Sequence, residues 1–268
     1  MAYEILVLDI DGTLTTSEKT ITKETLEAIH NIQERGHKVV LASGRPTPGI
    51  RPVAEELNMS SYGGYILSFN GARITDCSTN EIIYQRVISS SLLPEIYEAA
   101  LEYNTGLITF DEEKVLVADK VDEYIIKEAK LNRLSYEVIP NFLDYVTFDV
   151  NKCLMTSDPN HLAEVELKMK ERFEGRLNIF RSEPYFLEIV PMHVDKAESL
   201  SKLLEFLHLS KEQMISCGDG YNDITMIQYA GMGVAMANAQ QKVKEVADYI
   251  TLSNDNNGVA HVIKEFML

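Results

Sequence analysis

The fold is decided by residues 5–14, which read Ile5-Leu6-Val7-Leu8-Asp9-Ile10-Asp11-Gly12-Thr13-Leu14. Four consecutive apolar residues bounded by turn-forming residues are typical of a strand buried on both faces of a sheet. Asp9 and Asp11 follow where this strand should end, and ligands of open α/β sheets bind at that edge. Two such close carboxylates repel each other unless a cation or a shared proton relieves them. Taken alone, the stretch also fits a strand that ends in a solvated acidic turn.

The composition is that of a globular protein, and its charge limits the partners. The 268 residues suffice for one large domain or two moderate ones. Acidic residues outnumber basic residues 41 to 25, which gives a formal charge of −16. Because this charge repels polyanions, we expect no nucleic-acid and no membrane partner. An anionic substrate would need a local positive patch or a metal ion.

The sequence has no pattern typical of export or of a structural metal. Its apolar start is too short for a signal peptide, and no run reaches the ~20 apolar residues of a membrane span. The cysteines, Cys77, Cys153 and Cys217, are scattered and odd in number, as expected for reduced thiols. We therefore expect a cytoplasmic protein, either a monomer or a small homo-oligomer.

Strands and helices alternate over the first eighty residues. A helix capped by Thr22 follows the first strand, and a second buried strand is predicted at residues 38–42. A third strand, at residues 65–69, runs into Asn70-Gly71, a strong tight-turn signal. This alternation predicts a parallel sheet with helices on both faces.

The pattern changes at about residue 83. Short β-like stretches then alternate with amphipathic helices predicted at residues 91–103, 121–131 and 159–173. The βα alternation returns near residue 190, and a helix at residues 195–207 begins the last part of the chain. We interpret residues 84–188 as an inserted α+β domain, and residues 1–83 and 189–268 as the two segments of one sheet domain.

Three further motifs place polar groups at strand ends or at a helix start. In the motif Ser43-Gly44-Arg45, the Ser43 hydroxyl can donate a hydrogen bond to a phosphoryl oxygen. Gly44 has no side chain, so that oxygen can also approach its N–H closely. Lys196 opens a helix, where a positive charge is mildly unfavourable with the helix dipole. Gly218-Asp219-Gly220-Tyr221-Asn222-Asp223 collects carboxylate and amide oxygens, the hard ligands that Mg²⁺ prefers. Each motif alone also fits a simple turn or an exposed side chain.

These four motifs resemble, in kind and in order, those of the haloacid dehalogenase-like (HAD) phosphohydrolases. The resemblance covers essentially the whole chain and implies a Rossmann-like α/β core with an inserted C2-type cap domain. The position of the insertion is similar to that of the Cof-type subfamily, and residues 184–189 resemble the YidA-like sugar phosphatases. One departure is Lys196-Ala197, where close family members usually carry Lys-Gly.

The resemblance also implies a role for each motif residue. Asp9 would be the nucleophile that forms an aspartyl-phosphate, and Asp11 the general acid/base. The residues implied to cradle the phosphoryl oxygens are Ile10, Ser43, Gly44, Lys196 and Asn222. The residues implied to hold a Mg²⁺ cofactor are Asp9, Asp11, Asp219, Gly220 and Asp223. The expected substrate is a small phosphorylated metabolite, such as a sugar phosphate.

Two other functions use similar residues. A phosphotransferase or phosphomutase would share the chemistry of Asp9 but hand the phosphoryl group to a second sugar. A phospho-aspartate switch would also cluster acids around Mg²⁺, but it would need neither Asp11 as an acid/base nor a hundred-residue insertion. Arg45 could reach the leaving group, and no residue of the inserted domain is singled out as setting specificity.

Overall fold

The computed structural model describes residues 3–268, and their contacts divide into two units. We call the described residues up to Gln85, together with Asp195–Leu268, the core unit, and Arg86–Val194 the inserted unit. The sequence-based borders, after residues 83 and 188, precede these borders by two and six residues. No helix in the described part of the chain is long and apolar enough to cross a membrane.

Fourteen strands form two sheets in the described residues. In chain order they are β1 (Ile5–Leu8), β2 (Lys38–Ala42), β3 (Tyr65–Ser68), β4 (Arg73–Asp76), β5 (Ile82–Gln85), β6 (Gly106–Phe110), β7 (Lys114–Val117), β8 (Ser135–Val138), β9 (Cys153–Thr156), β10 (Leu177–Glu183), β11 (Phe186–Pro191), β12 (Met214–Gly218), β13 (Met232–Ala235) and β14 (Tyr249–Ile250).

Eleven α-helices accompany the strands in the described residues. They are α1 (Lys23–Glu34), α2 (Thr47–Glu56), α3 (Met59–Tyr62), α4 (Leu93–Glu102), α5 (Glu123–Leu131), α6 (Phe142–Tyr145), α7 (Pro159–Arg172), α8 (Lys196–Leu207), α9 (Ile224–Tyr229), α10 (Gln241–Val246) and α11 (Gly258–Phe266). Thr22 caps α1 as predicted, because its side chain accepts a hydrogen bond from the N–H of Thr25.

The core unit contains an eight-stranded sheet in the order β14-β13-β12-β1-β2-β3-β4-β5. The strands from β14 to β3 are parallel, and β1 lies between β12 and β2. Leu6 and Leu8 pack in a cluster with α1, α2, α10 and α11, whereas Ile5 and Val7 pack in a second cluster with α8 and α9. The first strand is therefore buried on both faces, as its apolar run predicts.

The parallel core sheet, which the sequence predicts, carries an antiparallel edge that it does not predict. Strands β4 and β5 are antiparallel to their neighbours. The turn at Asn70-Gly71 reverses the chain, because both residues adopt positive φ, +56° and +105°. The short strand β4 then pairs back along β3, and β5 continues the core sheet beyond the predicted border.

The inserted unit is an α+β fold, as expected. Its six strands lie in the order β10-β11-β9-β6-β7-β8, and only β7 and β8 pair in parallel. One apolar cluster joins α4 and α7 to this sheet. Strand β11 belongs to the sheet of the inserted unit, because it pairs with β9 and β10. The end of the inserted unit therefore lies beyond residue 191. Strand β8 was not predicted from the sequence, because all four of its residues are exposed and none marks a buried face.

Candidate active site

The carboxyl ends of three adjacent strands of the core unit place the predicted polar residues together. Leu8, the last residue of β1, is in register with Leu41 of β2 and with Cys217 of β12. The residues that follow these strands therefore start from the same edge of the sheet. This is the crevice in which parallel α/β sheets bind ligands.

Lys196 connects the motifs at this edge. Its Nζ donates hydrogen bonds to Asp9 Oδ1 at 3.0 Å, to Asp223 Oδ1 at 2.6 Å and to the carbonyl oxygen of Ala42 at 2.8 Å. The side chain is 1% exposed, so its charge is shielded from water and compensated by the two carboxylates. This pairing explains a lysine at the first position of α8, which the helix dipole alone would disfavour.

Asp223 organises the loop that follows β12. Its Oδ2 accepts the N–H groups of Asp219 at 3.0 Å and Gly220 at 2.9 Å, while Oδ1 pairs with Lys196. Both oxygens of this fully buried carboxylate are thus engaged. A single side chain thus satisfies two successive N–H groups of this loop.

Asp219 lies against the turn of the first motif. Thr13 Oγ1 donates a hydrogen bond to Asp219 Oδ1 at 3.0 Å. Gly12 has a φ of +89°, and a Cβ atom there would lie 2.5 Å from Asp219 Oδ2. Only glycine therefore lets the Asp219 carboxylate approach the turn so closely.

Asp11 is held by two cations. Arg45 donates from Nε to Oδ2 at 2.8 Å and from a terminal nitrogen to Oδ1 at 2.7 Å, and Lys19 Nζ lies 2.9 Å from Oδ1. Burial raises the pKa of Asp11, but its hydrogen bonds and ion pairs with Arg45 and Lys19 outweigh burial and lower it below the ordinary value. In this arrangement Asp11 is a carboxylate.

The remaining predicted residues line the same edge. Ser43 is buried, and its Oγ accepts the N–H of Arg45 at 3.2 Å. A Cβ on Gly44 would lie 3.1 Å from the side chain of Asn70, whose Oδ1 accepts a hydrogen bond from Asn222 at 3.0 Å. Residues from three loops thus come together.

The main chain between Asp9 and Asp11 has unused donors. Nothing in the described part of the chain accepts a hydrogen bond from the N–H of Ile10 or of Asp11. By contrast, the next N–H groups with partners, those of Leu14 and Thr15, donate to the carbonyl oxygens of Asp9 and Ile10. Free N–H groups beside carboxylates are suited to bind an anion.

The acids at this edge are electrostatically strained. Burial raises the pKa of Asp9 well above its ordinary value, and the charge of Asp223 raises it further, whereas Lys196 opposes both effects. Burial also raises the pKa of Asp219 to about 6. For Lys196 burial lowers the pKa, but the charges of Asp223 and Asp9 reverse this and raise it.

One group of carboxylates in the described residues has the spacing of a metal site. Asp9, Asp219 and Asp223 each offer an oxygen, and these three oxygens lie within 4.8 Å of one another. Three carboxylates with one lysine leave an excess of negative charge. A hard divalent cation with oxygen ligands would neutralise that excess.

The family model that describes haloacid dehalogenase-like hydrolases matches residues 6–263. The chain belongs to this family.

Similar proteins agree with that assignment. This HAD chain is 31% identical to the 5-amino-6-(5-phospho-D-ribitylamino)uracil phosphatase YcsE of Bacillus subtilis over 265 residues, which cover 99% of this chain and 96% of YcsE. A haloacid dehalogenase-like hydrolase from Bacteroides thetaiotaomicron has a TM-score of 0.95 at 47% identity, covering 98% of this chain and 99% of that chain. The HAD subclass IIB sugar phosphatase BT4131 has a TM-score of 0.78 at 26% identity, covering 98% of both chains.

The family prediction from the sequence is therefore confirmed, and the chain is a HAD-type phosphatase with a cap-domain fold. The departure at Ala197 has a simple structural account. Ala197 is the second residue of α8, and its N–H is capped by Asp195 Oδ1 at 2.8 Å. A regular helical position has no need of glycine.

Several contacts of this HAD site were not predicted. Thr13 and Asn70 lie within quoted motifs, so their polar side chains at strand ends were an available signal. The contact of Arg45 with Asp11 was likewise not predicted, and its reach to the leaving group stays a prediction. Lys19 had no distinguishing pattern, because an exposed lysine in a polar loop is common.

Proposed function

We propose that this HAD phosphatase is a Mg²⁺-dependent hydrolase of small phosphomonoesters, in particular sugar phosphates, that acts through an aspartyl-phosphate on Asp9. The observation that carries the proposal is the position of the Asp9 carboxylate. It lies at the carboxyl end of the central strand, paired with Lys196 at 3.0 Å and grouped with two further carboxylates. A buried carboxylate among such groups is suited to attack phosphorus.

In the first step a carboxylate oxygen of Asp9 attacks the phosphorus atom, and the bond from phosphorus to the ester oxygen breaks. Lys196, the hydroxyl of Ser43, the N–H groups of Ile10 and Gly44, and the amide of Asn222 would hold the phosphoryl oxygens. These donors favour the transition state because negative charge spreads over those oxygens as the bond breaks.

Asp11 would handle the protons of both steps. As an acid it gives a proton to the leaving alcohol, and as a carboxylate it then takes a proton from the water that cleaves the aspartyl-phosphate and releases inorganic phosphate. The pairing with Arg45 favours the carboxylate form. Donation to the leaving group therefore requires Asp11 to separate from Arg45 when substrate is bound.

The residues present fit Mg²⁺. The test is the donor set: three carboxylate oxygens lie within 4.8 Å of one another, and burial and mutual repulsion raise the pKa of Asp9 and Asp219. Asp9, Asp219 and Asp223 would hold the ion, with the main-chain carbonyl of Asp11 and with Gly220 beside them. When bound, Mg²⁺ would neutralise phosphoryl charge and keep Asp9 ionised.

The substrate class is supported by relatives. BT4131 is named a sugar phosphatase, and YcsE is named for a phosphorylated ribityl compound. Both names describe a phosphomonoester of a polyhydroxylated carbon chain. We therefore place sugar phosphates and sugar-alcohol phosphates first among the substrates of this chain.

The test is a panel of hexose, pentose and triose phosphates with Mg²⁺, run on wild type and on Asp9→Asn. We expect phosphate release without an acceptor sugar, and a fall in kcat of at least about 10³-fold in the variant, because the amide cannot attack phosphorus. Glu265→Gln, which changes an exposed acid elsewhere in the core unit, is the matched control. If Asp9→Asn keeps more than about a tenth of kcat, a loss below ~1.4 kcal/mol, the covalent mechanism is wrong.

A further inference from the structure

The loop that carries Asp9 and Asp11 is also held from the C-terminal part of the core unit. Asn238 Nδ2 donates a hydrogen bond to the carbonyl oxygen of Gly12 at 2.8 Å. Asn238 Oδ1 accepts the N–H of Asn254 at 3.0 Å. One amide side chain thus links the turn after Asp11 to a segment more than two hundred residues away in sequence.

Asn254 forms a second link to the loop that carries Asp9 and Asp11. Its Nδ2 donates to the carbonyl oxygen of Thr15 at 3.0 Å, in a buried position. Thr15 in turn donates from its N–H and from its Oγ1 to the carbonyl oxygen of Ile10, at 2.9 Å in both cases. The bonds therefore run from Asn254 through Thr15 to the peptide between Ile10 and Asp11.

We propose that Asn238 and Asn254 are positioning residues for phosphoryl transfer, acting through the main chain of residues 10–15. The proposal rests on the function proposed above. In it, the two amides fix the directions of the main-chain N–H and the side chain of Asp11 relative to the substrate. Neither residue reaches the reacting atoms itself.

Peptide planarity explains how a distant amide acts on the site. A trans peptide directs its carbonyl and its N–H to opposite sides. Fixing the carbonyl oxygen of Ile10 therefore fixes the direction of the Asp11 N–H, which has no acceptor in the described residues. Holding the carbonyl of Gly12 likewise fixes the peptide between Gly12 and Thr13, one residue beyond Asp11. A donor that is misplaced by ~1 Å can cost about 10²-fold in rate.

Because Asn238 is exposed, a positioning role of its side chain can be distinguished from a role in folding alone. Asn238 is exposed, so water could satisfy its amide and the Gly12 carbonyl if the link were absent. Stability thus does not require this bond. A third tie supports the same arrangement, because Asp255 accepts the N–H and the hydroxyl of Ser17, each at 2.8 Å.

The experiment compares Asn238→Ala, Asn238→Asp and Asn254→Ala with wild type on a sugar phosphate. Asn238→Asp keeps the acceptor for Asn254 but turns the donor to Gly12 into an oxygen. We expect kcat to fall about 10- to 100-fold in all three variants, with KM within about threefold. The Asn238→Ala/Asn254→Ala double variant should be no slower than the slower single variant, because both amides act through one loop.

The matched control is Asn256→Ala. Asn256 lies in the same turn as Asn254, but its amide bonds only to Ser253 Oγ, at 2.7 Å, and does not reach the catalytic loop. We expect the control to keep kcat within about twofold. Melting temperatures should stay within a few degrees for the Asn238 variants, which excludes unfolding as the cause.

Two results would overturn the inference. In the first, Asn238→Asp and Asn238→Ala have the kcat of wild type. In the second, kcat falls as much in Asn256→Ala as in the Asn238 variants. Because these variants are on an exposed residue, they remain informative even if Asn254→Ala does not fold. Asp9→Asn is measured in parallel. If Asp9→Asn is inactive while the Asn238 variants are fully active, the inference fails and the proposed function stands; if Asp9→Asn is active, the proposed function fails.

Discussion

Lys196 Nζ lies 2.6 Å from Asp223 Oδ1, and both side chains are fully or almost fully buried. The same ammonium lies 3.0 Å from Asp9, and the other oxygen of Asp223 holds the loop that carries Asp219. A single buried charge pair thus ties Asp9 to the loop that carries Asp219. The stability and the activity of the core unit should therefore depend on the same contact.

Lys196→Met should destabilise the protein and abolish activity. It leaves the carboxylates of Asp223 and Asp9 buried without a counter-charge, and breaking a buried pair in this way costs about 3–5 kcal/mol. The double variant Lys196→Met/Asp223→Asn should recover part of that loss, because one orphaned charge is removed, but it should stay inactive. Urea unfolding and turnover, both measured without added metal and with Mg²⁺, check this.

The matched control lies on the same helix. Lys202 pairs with Glu205 on the surface of α8, and both side chains are more than half exposed. Lys202→Met should therefore change stability by less than about 1 kcal/mol and leave turnover unchanged. Equal losses in Lys196→Met and Lys202→Met would show that the buried pair has no special importance.

Mg²⁺ should stabilise the folded protein and should be required for turnover. Saturating Mg²⁺ at about 100 times its Kd would add ~2.7 kcal/mol to the free energy of unfolding. Asp219→Asn should lose most of this stabilisation, whereas Asp144→Asn, at an exposed position of the inserted unit, should keep it. Thermal unfolding with EDTA, Mg²⁺ and Ca²⁺ measures binding independently of activity. Full turnover in EDTA would contradict the metal site.

Ca²⁺ should separate binding from catalysis. It takes more oxygen ligands than Mg²⁺, at longer distances and in looser geometry. We expect Ca²⁺ to raise the melting temperature but to inhibit turnover in competition with Mg²⁺. A Ca²⁺-loaded enzyme with the kcat of the Mg²⁺-loaded enzyme would show that the geometry of the site is unimportant.

The stability of the metal-free protein should fall as pH rises through about 6. Burial raises the pKa of Asp219 from 3.8 to about 6, so the folded state holds this proton more tightly than the unfolded state does. The favourable contribution is complete below pH ~3.8 and is lost as pH rises through the folded pKa. In EDTA, Asp219→Asn should therefore exceed wild type in stability at pH 7.5 by more than at pH 4.5.

Urea unfolding across that pH range makes the measurement. Asparagine keeps an oxygen for the hydrogen bond from Thr13, so the variant changes charge with little change of shape. Adding Mg²⁺ at pH 7.5 should reverse the order, since the ion favours the charged carboxylate. A stability difference that does not change with pH would show that Asp219 titrates normally in the folded protein.

Asp11→Asn should impair chemistry while leaving Mg²⁺ binding nearly intact. An amide can neither protonate a leaving alcohol nor activate water, and general acid/base catalysis contributes about 10²–10⁴-fold. The first step should slow strongly for a sugar phosphate and little for p-nitrophenyl phosphate, whose leaving group needs no proton. The second substrate should then show a burst and stall with phosphate on Asp9.

Rapid-quench kinetics on both substrates and a calorimetric Mg²⁺ titration check the Asp11 prediction. Asp11→Asn also removes the partner charge of Arg45 and Lys19, so Lys19→Ala serves as a control for the lost ion pair. We expect Lys19→Ala to keep the leaving-group dependence of wild type. If Asp11→Asn loses Mg²⁺ binding and slows both substrates equally, Asp11 is a side-chain metal ligand instead.

Local patterns were sufficient to predict the central strand and the position of the acids. The run from Ile5 to Leu8 is apolar on both faces, so only a strand between two helical layers could bury it. The acids that follow it had to lie at the ligand-binding edge. The order of the four motifs then predicted the family, which the family model confirms.

Edge strands and borders were less predictable, since pairing rather than pattern decides them. Residues of β4 pair with β3 only because Asn70 and Gly71 turn the chain back. The short strand β8 has no buried residue to mark it. In both cases the strand depends on hydrogen bonds to a neighbouring strand, and a local sequence pattern does not reveal them.

The sequence by itself determined which chemical groups are available and at which strand ends they emerge, because burial of apolar runs is a local property of the chain. Only the tertiary structure decided how these groups act on one another. Asp9 and Lys196 are 187 residues apart, yet burial, the charge of Asp223 and their mutual contact shift the pKa of both groups. Coulomb energies and desolvation depend on distances in space, and the folded chain alone defines those distances.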